Sequence, residues 1–352
     1  MNKNFISIAH PAVFIFGAGA TRGGMLESIF PPPIDNDFFD IAKQLKGHGT
    51  PKLAKRVLQS VWELYGTTNG ISLEEYYREI ETRALIGRFA KSANQPKNWK
   101  KRQGDLEELV RRVYIHTTCK AIGTRMEPLK SDIHQKILQN LRDGDTLITF
   151  NYDLVIEEAF SSAKLWNPID GYGVGVQGKS FDWCRLWLKK RNVKASNVKE
   201  SRVQLLKLHG SLNWMLYPNQ GIKLKSRPYY VRTKNKNPTF EKISVLPPGW
   251  NKRIDHNPYK LFWRASRLKL DQCKSLIILG YSLPETDLLA HSLFAEVVRL
   301  RYTRKKFLKE FHIADPSNEV KNRFIRLFNP ALGAFGKVFQ YQDIKEFTDK
   351  NL

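Results

Sequence analysis

HPAVFIFGAGATRGG, His10 to Gly24, is an apolar run that ends in glycines. A short apolar run closed by a Gly cluster reads as a buried parallel strand, a tight turn and then a helix. Four further runs repeat the pattern: DTLITF (145–150), RVQLLKLHG (202–210), KSLIILGYS (274–282) and KEFHIADPS (309–317). Helical spacing follows in LVIEEAF, in PETDLLAHSLFAEVVRL, where Thr286 or Asp287 offers a cap, and in EVKNRFIRLF; VFQYQDI adds an edge-strand candidate. Strands alternating with helices predict an α/β fold, a doubly wound, Rossmann-like parallel sheet.

Between the first two strands the period changes. KLAKRVLQSVWELYG, SLEEYYREIETRALIGRFA and DLEELVRRVYIHTTCKAIG carry apolar residues at helical spacing, and Ser72 with Glu75 makes a capping signal. Residues 1–352 therefore read as one domain with a mainly helical insertion at about 37–142, whose Tyr/Trp stripe reads as core. Residues 161–200 are mixed, with a Gly-rich loop at 170–178, and 215–260 look irregular.

The chain has 352 residues, 41% of them hydrophobic, which is enough for a full core. Its longest apolar runs, Ala12 to Phe16 and Leu276 to Leu279, fall far short of a membrane span, and the N-terminus lacks a signal-peptide pattern, so a cytoplasmic location is expected. Cys119, Cys184 and Cys273 are widely spaced and odd in number, which excludes a disulfide framework and a zinc ribbon. The formal charge is +24, with clusters KNWKKR (97–102), LKKRNVK (188–194) and RLRYTRKKFLK (299–309). Such an excess bears on partners: nucleic acid, an acidic protein surface, or simply a solvated basic face.

In a doubly wound sheet ligands sit beyond the carboxyl ends of the strands. Here those ends read Gly-Ala-Gly-Ala-Thr-Arg, Asn-Tyr-Asp, His-Gly-Ser, Gly-Tyr-Ser and Asp-Pro-Ser. Gly17-Ala18-Gly19 would let a backbone approach a pyrophosphate, although Arg22 stands where a third fingerprint glycine belongs. A dinucleotide fold also places an acidic residue at a strand end about twenty residues on. That region is helical in pattern here, which argues against an ordinary dehydrogenase. Asn151 or Asp153 has a second reading as a helix cap, and His209 as a hydrogen-bonded structural histidine. No His/Cys/Asp cluster has metal-ligand spacing, so no metal is expected.

Taken together, FGAGAT (16–21), TFNYD (149–153), KLHGS (207–211) and ILGYS (278–282) resemble the sirtuin superfamily. KLHGSLNW and GYSLPETD look like its bacterial sirtuin-like branch associated with antiphage defence. The resemblance implies NAD as substrate. Gly17, Ala18, Gly19, Ala20 and Thr21 would surround its pyrophosphate and neighbouring ribose, and Asp37 would match the family's Pro-Asp-Phe segment. Asn151 would lie against the nicotinamide ribose, Asp153 would hold the carboxamide, and His209 would be the base. Gly280, Ser282 and Asp315 would line the adenosine half.

Phe150 replaces the family's Gln, and the Cys-x-x-Cys zinc module of the protein deacylases is missing. The first removes a polar contact to the ribose region; the second points away from deacylation and toward an NAD+ glycohydrolase, an NADase yielding nicotinamide and ADP-ribose. The resemblance further implies an effector of phage defence that depletes NAD+ and oligomerises. With no sensor domain fused, it implies a separate regulatory partner such as a HerA-type ATPase or an Argonaute-like protein. Two other readings compete: a basic nucleic-acid-binding component, motivated by charge, and a catalytically silent domain that senses NAD or ADP-ribose.

Overall fold

The structure is a computed structural model and describes residues 8–25, 30–46, 49–86, 95–122, 125–161, 163–174, 182–217, 221–224 and 258–352. In chain order, β1 (Ala12–Phe16) runs into α1 (Ala18–Gly23). The next stretch holds α2 (Phe38–Gln44), α3 (Thr50–Tyr65), α4 (Leu73–Ile86), α5 (Gln95–Thr118), the strands β2 (Cys119–Ile122) and β3 (Arg125–Pro128), and α6 (Asp132–Gln139). Then come β4 (Thr146–Thr149), α7 (Val155–Ala159), α8 (Asp182–Lys190), β5 (Gln204–Lys207), β6 (Trp214–Tyr217) and β7 (Gly221–Leu224). The chain continues through α9 (Tyr259–Gln272), β8 (Ser275–Leu279), α10 (Leu288–Thr303), β9 (Glu310–Ala314), α11 (Asn318–Leu332), β10 (Lys337–Tyr341) and α12 (Ile344–Asn351).

Six strands form one sheet in the order β10-β9-β8-β1-β4-β5, and every pairing in it is parallel. Counted along the chain, the sheet strands run 3-2-1-4-5-6 from the β5 edge, the doubly wound order, with its switch point between β1 and β8. The expected fold class is therefore what the chain adopts. Helices α9, α10 and α11 pack together, and α1, α6, α7 and α12 make a second group. Strands β1, β4 and β8 are buried along their whole length, as strands covered on both faces must be.

The register aligns the site. Phe16 pairs with both Thr149 and Leu279, Thr149 with Lys207, and Leu279 with Ala314. Gly17, Phe150, Leu208, Gly280 and Asp315 therefore leave the sheet side by side.

The helical stretch between β1 and β4 has a hydrophobic core of its own, built from residues such as Phe39, Val57, Tyr76, Leu109 and Val113. Two residues from the strand-end loops complete it: Tyr152 and Leu212. Ser72 Oγ accepts from Glu75 N at 3.0 Å, the expected cap. Tyr76, Tyr77 and Tyr114 are core, but Trp62 stands 56% exposed, so the aromatic stripe is not core throughout.

Two antiparallel hairpins depart from the sequence expectation. The pair β2–β3 interrupts the helical stretch, and β6–β7 lies in a region that reads as irregular. Both are made of four-residue strands, too short to show an alternating pattern. The rest of the Gly-rich loop, 175–178, and residues 225–257 lie outside the described residues. All three cysteines are free and buried, and burial pushes their thiols up to about 12, 12 and 11 for Cys119, Cys184 and Cys273. Among the described residues no helix is long and apolar enough to cross a membrane.

Candidate active site at the strand ends

At the end of β4 the Asn-Tyr-Asp segment points three side chains three ways. Asn151 Nδ2 donates to the main-chain oxygen of Gly17 at 2.8 Å and to Thr21 Oγ1 at 2.9 Å. Both amide hydrogens are thus committed to the β1–α1 turn. Among the described residues nothing donates to Asn151 Oδ1, which leaves that oxygen as the acceptor the residue can offer a ligand. Tyr152 turns away into the helical core, edge-on to Tyr114 at 5.5 Å between ring centres. Asp153 has both carboxylate oxygens engaged, Oδ2 by Thr21 Oγ1 at 2.9 Å and Oδ1 by Val155 N at 3.0 Å. The helix-cap reading is not met, since Leu154 is the N-cap of α7 and no side chain caps it; Asp153 instead closes an Asx turn onto Val155 N and orients Thr21.

His209 follows β5. Its Nε2 lies 3.3 Å from Asp287 Oδ2, and that carboxylate oxygen also accepts from Tyr281 OH at 2.9 Å. Asp287 caps α10 as well, accepting from Ala290 N. One buried carboxylate thus ties together the ends of β5 and β8 and the start of α10. An Asp facing Nε2 favours the proton on that nitrogen, so the neutral ring carries its lone pair on Nδ1. Phe150 holds the ring from the side: it meets His209 edge-on at 5.1 Å and stacks on Tyr281 at 4.1 Å with planes 4° apart. An aromatic wall stands where a Gln would offer an amide.

The glycines work on each other. Gly280 has φ +57, and a Cβ on it would lie 2.1 Å from Ala20 N; one on Gly17 would lie 2.4 Å from Gly280 O. Gly19 N donates to Gly280 O at 2.9 Å. The space left by the missing side chains is filled by the facing turn, so these glycines let two loops at the switch point touch.

Asp37 pairs with Arg22 at the end of α1 and accepts from Ile34 N at 2.9 Å, so it caps its own turn. Asp315 accepts from Ser317 N at 2.9 Å, and burial raises its carboxyl above the usual range. Ser282 is exposed, and its main-chain oxygen faces Arg323 at 3.4 Å. The structure thus gathers Gly17, Gly19, Ala20, Thr21, Asn151, Asp153 and Gly280 into one bonded cluster. It hangs Asp37 on the cluster's edge through Arg22 and leaves Ser282 and Asp315 as separate loop positions. Ala18 opens α1, one residue from the bonded groups.

Three residues were not among the sequence candidates. Asp287 was read only as a helix cap, which it also is. Lys207 and Glu157 form a buried pair at 2.9 Å beneath the site, and Lys207 Nζ also donates to the main-chain oxygen of Asp153. Burial raises the Glu157 carboxyl, against the pull of Lys207, and Tyr172 OH donates to the same oxygen at 3.0 Å. A charged residue closing the apolar strand QLLK was the signal for this pair. Among the described residues no group of three or more His, Cys, Asp or Glu is placed to hold a metal ion.

Residues 145–307 match the family model described as a SIR2-like domain. No curated protein matches the chain. Among solved structures, a complex of a Sir2 homolog with NAD shares 12% identity, covers 97% of this chain and 87% of its own, and has a TM-score of 0.40. Sir2Tm bound to a propionylated peptide shares 12% identity over 96% of this chain and 90% of its own, with a TM-score of 0.35. Across residues 145–307, which carry Asn151, Asp153, His209 and Asp287, the chain is similar to SIR2-like domains.

Proposed function

We propose that the site hydrolyses the N-glycosidic bond of NAD+, releasing nicotinamide, ADP-ribose and a proton. The observation that carries this reading is the locked Asn151. Its amide hydrogens are bound inward to Gly17 and Thr21, so Oδ1 is held as a fixed acceptor at the switch point, where a doubly wound sheet receives dinucleotides. The residues present fit such a substrate: an amide oxygen to accept from a ribose hydroxyl or a water, and a carboxylate-backed imidazole to accept a proton. Asn151 and His209 are 7% and 5% exposed, so both would act in a nearly dry setting, where oriented dipoles count most.

In the proposed reaction Asn151 Oδ1 orients the ribose or the attacking water. His209 takes the proton from that water as its oxygen bonds to the anomeric carbon and the bond to nicotinamide breaks. Asp287 supports the imidazolium that forms. Asp153, with both oxygens engaged, serves by positioning Thr21 and thereby Asn151. Gly17 to Thr21 together with Gly280 would meet the rest of the dinucleotide, with Asp37, Ser282 and Asp315 at its margin. The role in antiphage defence, the oligomeric effector state and the separate regulatory protein belong to the same proposal and rest on the sequence resemblance.

The test is turnover by the full chain, with NAD+ alone and with NAD+ plus an acyl-lysine peptide, products resolved by chromatography. Nicotinamide and ADP-ribose from NAD+ alone, lost in Asn151→Ala and His209→Ala, is the expected result. Nicotinamide released only with peptide, accompanied by deacylated peptide, would replace this reading by deacylation.

A further inference from the structure

The basic cluster RLRYTRKKFLK lies at the opposite end of the molecule from the site. Its last residues lead into the amino end of β9, next to the amino end of β10. There a groove of about 540 Å³ is lined by residues that include Phe307, Lys309, Leu332, Phe335 and Lys337. Phe335 is 94% exposed and Phe307 40% exposed. With Val338, 39% exposed on the same edge, the two rings make an exposed apolar patch rather than a lone surface side chain, and such patches mark contact surfaces.

The Phe307 ring is backed by main chain, while Phe335 stands out from the turn that ends α11. Phe307 lies flat against Gly333, where a Cβ would stand 2.8 Å from the ring, and Gly333 has φ +61. Leu308 N donates to Ala331 O at 2.8 Å, and Lys337 N to Lys309 O at 2.9 Å, so the two loops are tied together. Of four exposed lysines here, Lys309 and Lys337 line the groove and Lys305 and Lys306 directly precede Phe307; none has an acidic partner among the described residues. The acidic residue on the groove, Glu310, turns inward and accepts from Ala9 N at 2.9 Å and Ser275 Oγ at 2.8 Å.

We propose that this groove binds single-stranded nucleic acid, bases stacking on Phe335 and Phe307 and phosphates pairing with Lys305, Lys306, Lys309 and Lys337. Exposed aromatic faces bordered by cations are what a single strand requires, since every base has a π-face and every linkage a negative charge. An acidic protein would use the lysines and leave Phe335 in water. The groove is at the amino end of the strands and the site at the carboxyl end, so strand binding and NAD+ turnover are separable readouts.

The test is fluorescence anisotropy of the full chain with labelled single-stranded DNA and RNA of about sixteen nucleotides, a length on the scale of such sites. If four phosphates are neutralised, affinity falls about fifty-fold between roughly 50 and 200 mM salt. Phe335→Ala, at a position too exposed to disturb the core, is expected to weaken binding roughly five- to hundred-fold. The double variant Lys305→Glu, Lys306→Glu is expected to cut the salt slope by about half, while Lys100→Glu with Lys101→Glu leaves the affinity within about twofold. No binding at low salt, or wild-type affinity in Phe335→Ala, overturns the proposal. So does a dimer in light scattering that Phe335→Ala converts to monomer with strand affinity unchanged, which would make the face a contact between copies.

Discussion

Asn151 and Thr21 are joined by a 2.9 Å hydrogen bond from the amide to the hydroxyl, and Thr21 passes its own hydrogen on to Asp153 at 2.9 Å. The hydroxyl is therefore a relay that sets which way the amide faces. Thr21→Val keeps the shape and removes the relay. It is expected to lower kcat more than it raises KM, while Thr21→Ser retains most activity. Leaving buried partners unsatisfied costs about 1–3 kcal/mol, readable as a fall in the urea midpoint.

Asp287 has two duties, as the cap of α10 and as the carboxylate facing His209. Asp287→Asn separates them, because Asn caps a helix as well as Asp does. The expected outcome is a near-native melting temperature with kcat reduced at least tenfold. A loss of stability equal to that of Asp287→Ala, with activity retained, would show that the cap is its whole role.

Lys207→Met removes the cation from a buried pair and leaves Glu157 without it. Breaking such a pair costs about 3–5 kcal/mol. The double variant Lys207→Met, Glu157→Gln is expected to recover part of that loss in chemical denaturation, yet not activity, because the main-chain oxygen of Asp153 still lacks its donor.

His134 is buried, stacks on Phe16 at 5.5 Å and bonds Ser131 at 2.8 Å, and burial lowers its pKa from 6.5 to about 4. Between those values the unfolded chain holds the extra proton. The contribution to stability is thus complete above pH 6.5 and is lost as pH falls toward about 4. It amounts to something on the order of 3 kcal/mol. Melting temperatures from pH 7.5 to 5 should fall less steeply in His134→Gln than in wild type.

Gly280→Ala places a methyl 2.1 Å from Ala20 N at a φ of +57. Both the contact and the conformation oppose it, so the switch-point turn has to open. NAD+ affinity is expected to drop beyond detection in calorimetry, with a melting temperature several degrees lower.

The alternation of strands and helices was legible in the sequence because the central strands, β1, β4 and β8, are buried along their length and so read as unbroken apolar runs ending in glycine or polar residues, whereas which strand neighbours which was not. Asn151, Asp153 and His209 stood out as candidates because they are polar side chains directly after such runs, although each also had a structural reading. Asp287 was hidden because one role, the cap, explained it fully. Its second role depends on β5 and β8 ending at the same height, which only the register reveals. The hairpins β2–β3 and β6–β7 were illegible because four residues carry too little periodicity to tell strand from loop. The glycines stood out in the sequence, but what they make room for needed coordinates: Gly17 faces Gly280 and Tyr281, and Gly280 faces Gly19 and Ala20.

Tyr152 sits between two site residues in sequence and inside the helical core in space. The helical stretch is consequently no cassette that could be trimmed away. Removing it would strip a tyrosine of its packing one peptide bond from the Asn151 amide. Local opening of α3 to α5 and release of the Asn-Tyr-Asp loop should form one cooperative unit, with backbone amides in both exchanging at a common rate in deuterium. Any molecule that grips those helices would then hold a lever on the amide without touching the strand ends.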